Sequence, residues 1–172
     1  MVNVELSRVP EYYHSYITHV MDDDLESAFH KHQVELVSFL KEIPKKKWSY
    51  RYAEDKWSIK ELVQHIIDAE RIFAYRALCI SRKDQTPLPG FEENDYAANS
   101  KADSRTKKEL LKELELVQQS SAMLFASFDE EQLDQSGTMS ENSVYVKGIA
   151  YILIGHALHH KKVLEERYLK TC

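Results

Sequence analysis

Glycine and proline are scarce in this chain, which has four of each among its 172 residues. Both residues interrupt regular structure, so their scarcity indicates few turns and long, mostly helical elements. The sequence also lacks a run of about 18 consecutive apolar residues, which a membrane-spanning helix requires. Its first residues show no positively charged segment followed by an apolar one, the pattern of a secretory signal. We therefore expect neither a membrane span nor secretion.

The chain also has few cysteines and no strong excess of one charge. The two cysteines, Cys79 and Cys172, form no CxxC pair, and this pattern favours a reducing, cytoplasmic location. The net charge is −5 and no long block of one sign occurs, so we expect no nucleic-acid partner bound through a basic face. The three lysines at 45–47 fall in a predicted loop and are interpreted as a solvated corner.

The composition that remains is typical of one folded domain. Hydrophobic residues make up 43% of the chain and charged residues 30%, which is normal for a globular protein. A chain of this length can bury a core of its own. We predict a single domain over 1–172, with 1–21 as an N-terminal extension that packs on it.

Apolar residues recur at helical spacing in four segments, at about 25–43, 59–80, 104–127 and 144–169. Ser58 and Glu61 form a capping-box signature before the second segment, and Asp103 or Ser104 is the predicted cap of the third. Two irregular segments are predicted, at 81–102 and 134–143. Four long helices with one long crossover between the second and the third predict an all-α four-helix bundle.

Two histidines face the core of the last predicted helix. On a helical wheel, His156 and His160 lie near the middle of its apolar face, whereas His159 lies at the edge. Histidines at positions i and i+4 can bind one metal ion together. Alternatively, both are neutral core histidines with hydrogen-bond partners, because burial without partners costs about 1–3 kcal/mol for each. The spacing alone leaves both explanations open. His32, on the core side of the first helix, is interpreted as a packing residue and kept as a reserve ligand.

The second predicted helix carries two carboxylates near a further histidine. His65 lies at the flank of a broad apolar arc, and Asp68 follows it by three residues on the same side. Asp68 is therefore either a hydrogen-bond acceptor that orients the imidazole or an exposed residue on the polar side. Glu70 points toward the middle of the apolar arc, where a carboxylate must be paired or have a shifted pKa. Its partner is not evident from the sequence.

A second apolar stripe runs along the back of the last helix. It consists of Tyr151, Ile154 and Leu158. A helix with two apolar faces usually has two contacts. We predict a homodimer that uses this face, and burial of the face inside the monomer is the competing interpretation.

Three stretches resemble a known family. They are KWSIKELVQHIIDAERIFAYRAL, PLPGFEENDYA and GHALHHKKVLEERY. They are similar to the DinB/YfiT-like superfamily of metalloenzymes, and the resemblance extends from about residue 25 to residue 169. It implies an up-down-down-up four-helix bundle with a divalent metal bound by His65, His156 and His160. The choice of His65 rests on the resemblance alone.

The resemblance also implies a class of reaction. Three histidine ligands leave a fourth position for water or substrate, as in catalytic metal sites. The family includes enzymes that transfer low-molecular-weight thiols such as bacillithiol. We therefore expect a small-molecule thiol and an electrophile as partners, with Asp68 or Glu70 in a catalytic role and loop 86–96 at the opening.

Two other functions remain open from the sequence. The same site could activate water for hydrolysis, with a carboxylate as base. The chain could also be a non-catalytic helical module of a stress response. Imidazole ligands suit several metals, and we expect zinc or nickel, with iron or manganese as further options.

Overall fold

The computed structural model describes residues 4–170. Within this range the helices are, in chain order, α1 (His14–Ile17), α2 (Leu25–Glu42), α3 (Ile59–Ser81), α4 (Glu93–Asn99), α5 (Lys107–Ala126), α6 (Glu130–Asp134) and α7 (Val146–Val163). Helix α7 continues in π-helical geometry over Leu164–Leu169. Short 3₁₀ turns lie at Leu6–Arg8, Glu11–Tyr13, Lys45–Lys47 and Ala102–Ser104. Two strands, β1 (Ser136–Met139) and β2 (Asn142–Tyr145), form one antiparallel hairpin.

The four long helices form the bundle that the sequence predicts. Helix α3 packs against α5 and α7, and α2 packs against the same two helices. In the up-down-down-up arrangement α3 and α5 run in the same direction, so the segment 82–106 must carry the chain back along the bundle. The predicted all-α four-helix bundle is confirmed.

Capping residues mark the first turns of α3 and α5. The Ser58 side chain accepts from the Glu61 amide while Glu61 accepts from the Ser58 amide, so the predicted capping box is present. Helix α5 begins later than predicted, because its capping box is formed by Thr106 and Glu109. Asp103, a predicted cap, instead accepts a hydrogen bond from the Ser58 hydroxyl at 2.6 Å and so ties the crossover to the start of α3.

The irregular segments hold more structure than the sequence predicts. Helix α4 lies in the middle of the crossover. The segment 134–143, predicted as a polar loop, contains most of the hairpin, whose two turn residues Ser140 and Glu141 have φ of 50° and 65°. Such turns usually carry Asn-Gly or Asp-Gly, so Ser-Glu gives no recognisable signal. Leu88 bridges to Met139 and joins the crossover to the hairpin.

The N-terminal segment covers the back face of α7. Tyr151 and Ile154 are buried within the chain, and the Tyr151 hydroxyl donates to the carbonyl of Asp23 at 2.8 Å. A Cβ built on Gly155 would lie 2.3 Å from the carbonyl oxygen of Tyr16, so glycine is what permits this approach. For Tyr151 and Ile154 the structure therefore agrees with the competing interpretation, burial inside the monomer, whereas Leu158 is only partly buried. A homodimer remains a prediction.

The cysteines and the lengths of the helices bear on the predicted location. Cys79 is a free, half-buried thiol, and Cys172 lies outside the described residues. In the part of the chain that the structure describes, every helix is too short or too polar to cross a membrane.

Two apolar clusters fill the interior. Along α7 the change from one cluster to the other falls between Ile154 and Ala157, and along α3 it falls between Ile67 and Ala69. His156 and His65 therefore lie close to the boundary between the two clusters.

Candidate metal centre

Three histidines meet between α3 and α7. The Nε2 atom of His156 lies 3.1 Å from Nε2 of His65 and 3.0 Å from Nε2 of His160. One nitrogen from each ring lies within 4.8 Å of the other two. His65 and His156 are buried, with 4% and 9% of their surface exposed, and His160 is partly buried. The structure thus brings together the three residues that the family resemblance singles out.

Helix geometry explains why the neighbouring histidine is elsewhere. His156 and His160 are one turn apart and project from the same side of α7. His159 lies next to them in sequence, but its ring contacts Tyr16 with a centroid distance of 4.8 Å. The helical wheel correctly separated these directions.

Burial keeps the three imidazoles neutral at neutral pH. Loss of solvation lowers the pKa of His65 to about 4. The same cause, reinforced by the neighbouring histidines, lowers the pKa of His156 and of His160 well below the usual value. A neutral imidazole offers a lone pair, which a metal ion requires.

The hydrogen-bonding capacity of the rings fits a shared cation. Within residues 4–170, Nδ1 of His65 and Nδ1 of His160 are buried without a hydrogen-bond partner. In the tautomer with the hydrogen on Nδ1, this Nδ1–H group is a buried donor without an acceptor. Nε2 then carries the lone pair, and the lone pairs of the rings point toward one another. If Nε2 carries the hydrogen instead, an acceptor is buried unpaired. A divalent metal bound by the three Nε2 atoms would use the converging lone pairs, and imidazole is a ligand that such metals prefer.

Aromatic rings surround the histidines. The Trp57 ring lies 4.9 Å from that of His65, and the Phe91 ring lies 6.4 Å from it on the crossover. Tyr16 and Phe73 approach His156 at 5.9 and 6.1 Å. These rings limit the access of water to the histidines and restrict their orientation.

One side of the cluster opens into a cleft of about 210 Å³. His160 lines this cleft together with Tyr52, Asp55, Lys56, Trp57, Asn94 and Tyr168. Asn94 lies at the start of α4, within the segment 86–96 that the sequence predicts at the opening. Residues 52–57 belong to the connection between α2 and α3, and the sequence gives no sign that they reach the end of α7.

The sequence matches the family described as the DinB superfamily over residues 28–164. The chain belongs to the DinB superfamily. Two solved structures share its fold. YfiT from Bacillus subtilis, described as a probable metal-dependent hydrolase with an unusual four-helix bundle topology, has a TM-score of 0.73 at 10% identity, covering 84% of this chain and 86% of YfiT. The DinB-like protein YjoA from Bacillus subtilis has a TM-score of 0.58 at 23% identity, covering 82% and 86%. No curated protein matches the sequence.

Asp68 does not orient a histidine in this DinB-superfamily chain. Its Oδ1 accepts a hydrogen bond from Gln64 Nε2 at 2.9 Å, whereas Nδ1 of His65 has no partner within 4–170. Partial burial raises the pKa of Asp68. The interpretation of Asp68 as the acceptor for His65 is therefore not supported by the structure, and a catalytic role for this residue remains a prediction.

Glu70 lies beside Ser121 of α5, and within residues 4–170 it forms no hydrogen bond with a histidine. It is 2% exposed, and burial raises its pKa to about 8, opposed by a hydrogen bond from Ser121. The unknown partner of Glu70 is thus Ser121, and at neutral pH the carboxyl group is mostly protonated. The catalytic role predicted for Glu70 also remains a prediction.

His32 is not part of the cluster. Its Nε2 lies 3.0 Å from Asp23 and its Nδ1 lies 3.3 Å from Glu35. The DinB-superfamily chain thus uses His32 as a buried hydrogen-bonding residue, in agreement with the packing interpretation.

Proposed function

We propose that this chain is a metal-dependent enzyme in which His65, His156 and His160 bind one divalent metal ion, with zinc or nickel as the expected metal. We propose further that it transfers a low-molecular-weight thiol to an electrophile. The observation that carries the proposal is the convergence of three neutral Nε2 atoms beside an open cleft. The description of YfiT as a probable metal-dependent hydrolase supports the metal part of the proposal.

The protein would supply three ligands and leave one position of the metal for substrate. This number is typical of catalytic sites, whereas structural zinc sites have four protein ligands. The metal, when bound, would lower the pKa of a thiol or water at that position and so generate a nucleophile near neutral pH. His160 lies at the cleft, so the substrate would approach from that side.

The surroundings of the histidines favour a thiol over water as the nucleophile. Neither Asp68 nor Glu70 contacts the cluster, so neither is placed to remove a proton from a water molecule there. A free thiol has a pKa of about 8.5, against about 15.7 for water, and therefore needs much less help to ionise. The aromatic wall formed by Trp57 and Phe91 would also exclude competing water.

The cleft offers polar groups for the rest of a thiol substrate. Lys56 and Asp55 are exposed and form an ion pair at 3.1 Å on one wall, and Asn94 lies in the same lining. A charged and an amide side chain can bind the carboxylate, hydroxyl or amino groups that small natural thiols carry. Trp57 and Tyr168 would contact the apolar part of the electrophile.

Hydrolysis is the second candidate function, and the position of Asp55 favours it. Asp55 is a carboxylate in the same cleft as His160 and could act as general base for a water molecule. The description of YfiT points to the same class of reaction.

Metal analysis tests the first half of the proposal. Protein purified without a histidine tag should contain about one equivalent of zinc or nickel per chain. His156→Ala should lose the metal, whereas His159→Ala should keep it and serves as the matched control. Absence of metal from the wild type, even after reconstitution with zinc, nickel and manganese, would contradict the proposal.

Activity assays on the metal-loaded protein test the second half. We expect conjugation of 1-chloro-2,4-dinitrobenzene to bacillithiol, cysteine or glutathione, lost in His156→Ala and retained in His159→Ala. Cleavage of 4-nitrophenyl acetate without any thiol, lost in Asp55→Asn, would instead establish hydrolysis. If the loaded protein does neither with a panel of such substrates, it is a non-catalytic metal-binding module.

A further inference from the structure

Arg76 is a buried cation without an acidic partner. Its side chain projects from α3, and the residue is 2% exposed. Among residues 4–170 no carboxylate forms an ion pair with it, and it donates hydrogen bonds to the carbonyl of Pro89 at 2.6 Å and to Oγ of Ser140 at 3.4 Å. A buried charge without a counter-ion is costly, so this position needs an explanation.

Four of the other six arginines form an ion pair with an acidic side chain, and the remaining two, Arg82 and Arg167, are exposed to solvent. Arg71 lies five residues earlier on α3 and forms an ion pair with Glu113 at 2.7 Å. Ion pairs with acidic side chains are also made by Arg8, Arg51 and Arg105. Arg76 is more buried than any of these and lacks the acid that each of them has.

Arg76 is one of the residues that line a cavity with aromatic walls. The cavity has a volume of about 280 Å³ and is also lined by Arg71, Ile72, Tyr75, Phe91 and Tyr96. The Phe73 and Phe91 rings lie 5.5 and 6.0 Å from the guanidinium carbon. Tyr75 and Tyr96 leave 59% and 48% of their surface open to solvent, although both are large aromatic residues. A buried cation in the lining of a cavity with aromatic walls is typical of a site for a small organic anion.

The cavity is separate from the histidine cluster. Within residues 4–170, no residue lines both this cavity and the cleft at His160. The Phe91 ring lies near both sites, 6.0 Å from the Arg76 guanidinium and 6.4 Å from the His65 ring. Asp68 and Asp95 line a neighbouring groove that shares Arg71, Ile72 and Tyr96 with the cavity, but they do not line the cavity itself. Arg76 is therefore the lining cation without an acidic partner, since Arg71 is neutralised by Glu113.

We propose that this cavity binds a small organic anion, with its carboxylate or phosphate group paired to Arg76 and its apolar body against Tyr75 and Tyr96. Arg76 would form charge-assisted hydrogen bonds with the oxyanion, and these bonds would provide the missing counter-charge. Because the site does not involve the three histidines, binding does not depend on a bound metal or on the proposed transfer reaction.

A purely structural role for Arg76 is the competing explanation. In that case the residue only connects Pro89 of the crossover to Ser140 of the hairpin turn. Both of those bonds are made by Nη2, so Nη1 and Nε remain to bind an anion from the cavity. The two explanations differ in whether an anion binds and whether a neutral analogue does.

Calorimetric titration of the full chain with benzoate and with phenyl phosphate tests the proposal, and benzyl alcohol is the neutral comparison. We expect at least one of the anions to bind, with benzyl alcohol at least about tenfold weaker. Arg76→Gln should weaken anion binding by about tenfold or more. Arg82→Gln removes the same charge from the end of α3, outside the cavity, and should bind like the wild type. The anion that binds more tightly indicates whether the natural ligand carries a carboxylate or a phosphate.

Each titration is repeated after removal of metal with a chelator. Binding that persists without metal and disappears in Arg76→Gln supports the proposal. Binding that requires metal places the anion at the histidines and overturns it, as does equal binding by Arg76→Gln and the wild type, or no binding of either anion. If Arg76→Gln does not fold, as judged by circular dichroism, Tyr96→Ala decides the question, because it removes an exposed wall of the cavity and should weaken binding on a folded chain.

Discussion

The Nε2 atoms of His65 and His156 lie 3.1 Å apart, although the two residues are separated by 91 positions in the chain. This contact joins α3 to α7 at the boundary of the two apolar clusters. Two of the three histidines are held in place by one turn of α7, but the third arrives only through the packing of the bundle. The proposed metal site is therefore a property of the tertiary structure, and metal binding should stabilise the packing of these two helices.

Trp57 should report metal binding through its fluorescence. Its ring lies 4.9 Å from that of His65, so a cation on His65 would change the electrostatic environment of the indole. The sequence contains one other tryptophan, Trp48, which is buried in the apolar cluster and donates to the carbonyl of Ile43. We expect zinc or nickel to change the emission of the wild type and of Trp48→Phe, and to leave that of Trp57→Phe unchanged. A response that survives in Trp57→Phe and vanishes in Trp48→Phe would mean that the metal binds elsewhere.

The sequence identified part of this site and not the rest for a geometric reason. A helical wheel gives directions around one axis, so it placed His156 and His160 on the core face of α7 and His159 away from it. A helical wheel of one helix does not show how far α7 lies from α3. On the wheel of α3, His65 lies only at the flank of a broad apolar arc. His65 was found by family resemblance, which carries the packing of the whole bundle.

The parts that were missed depend on contacts between distant segments. The hairpin turn at Ser140 and Glu141 lacks the usual turn residues and is fixed by pairing of its strands and by the bridge from Leu88. The back face of α7 looked like an interface because periodicity cannot show that an earlier segment of the same chain covers it. Likewise, Arg76 is an ordinary residue of α3 in the sequence, and only the packed crossover shows that it is buried without an acid.

The buried carboxyl group of Glu70 should make stability depend on pH above neutrality. Its pKa is about 8 in the folded protein because of burial, whereas a glutamate in the unfolded chain ionises near pH 4.3. Between these values the folded state holds the proton and the unfolded state does not, so stability decreases as pH rises toward 8. From pH 7 to pH 9 the expected loss from this carboxyl group is about 1 kcal/mol. Urea unfolding at the two pH values measures it.

Two variants isolate the contribution of Glu70. Glu70→Gln keeps the shape of the protonated side chain and its contact with Ser121, so it should lose less stability than the wild type between pH 7 and pH 9. Glu26→Gln changes an exposed glutamate in the first turn of α2 and should behave like the wild type. An unchanged pH dependence in Glu70→Gln would show that Glu70 is already ionised in the folded protein at neutral pH.

Gly155 should be intolerant of even a methyl group. A Cβ at this position would lie 2.3 Å from the carbonyl oxygen of Tyr16 and 2.6 Å from its carbonyl carbon. These are backbone atoms, so the side chains nearby cannot relieve the overlap by rotating. We expect Gly155→Ala to destabilise the protein by about 2 kcal/mol or more, near the upper part of the range for overpacked cores. Urea unfolding measures the loss, and limited proteolysis should show earlier cleavage in the N-terminal segment.

Gly90→Ala is the matched control for this substitution. Its Cβ would approach the Ser140 hydroxyl oxygen at 3.4 Å, an ordinary contact with a side chain that can rotate. We expect a change in stability within about 0.5 kcal/mol, as for most surface substitutions. If Gly155→Ala is as stable as Gly90→Ala, the N-terminal segment does not lie against α7. The back face of that helix, with Tyr151 and Ile154, would then again be available for a second copy of the chain.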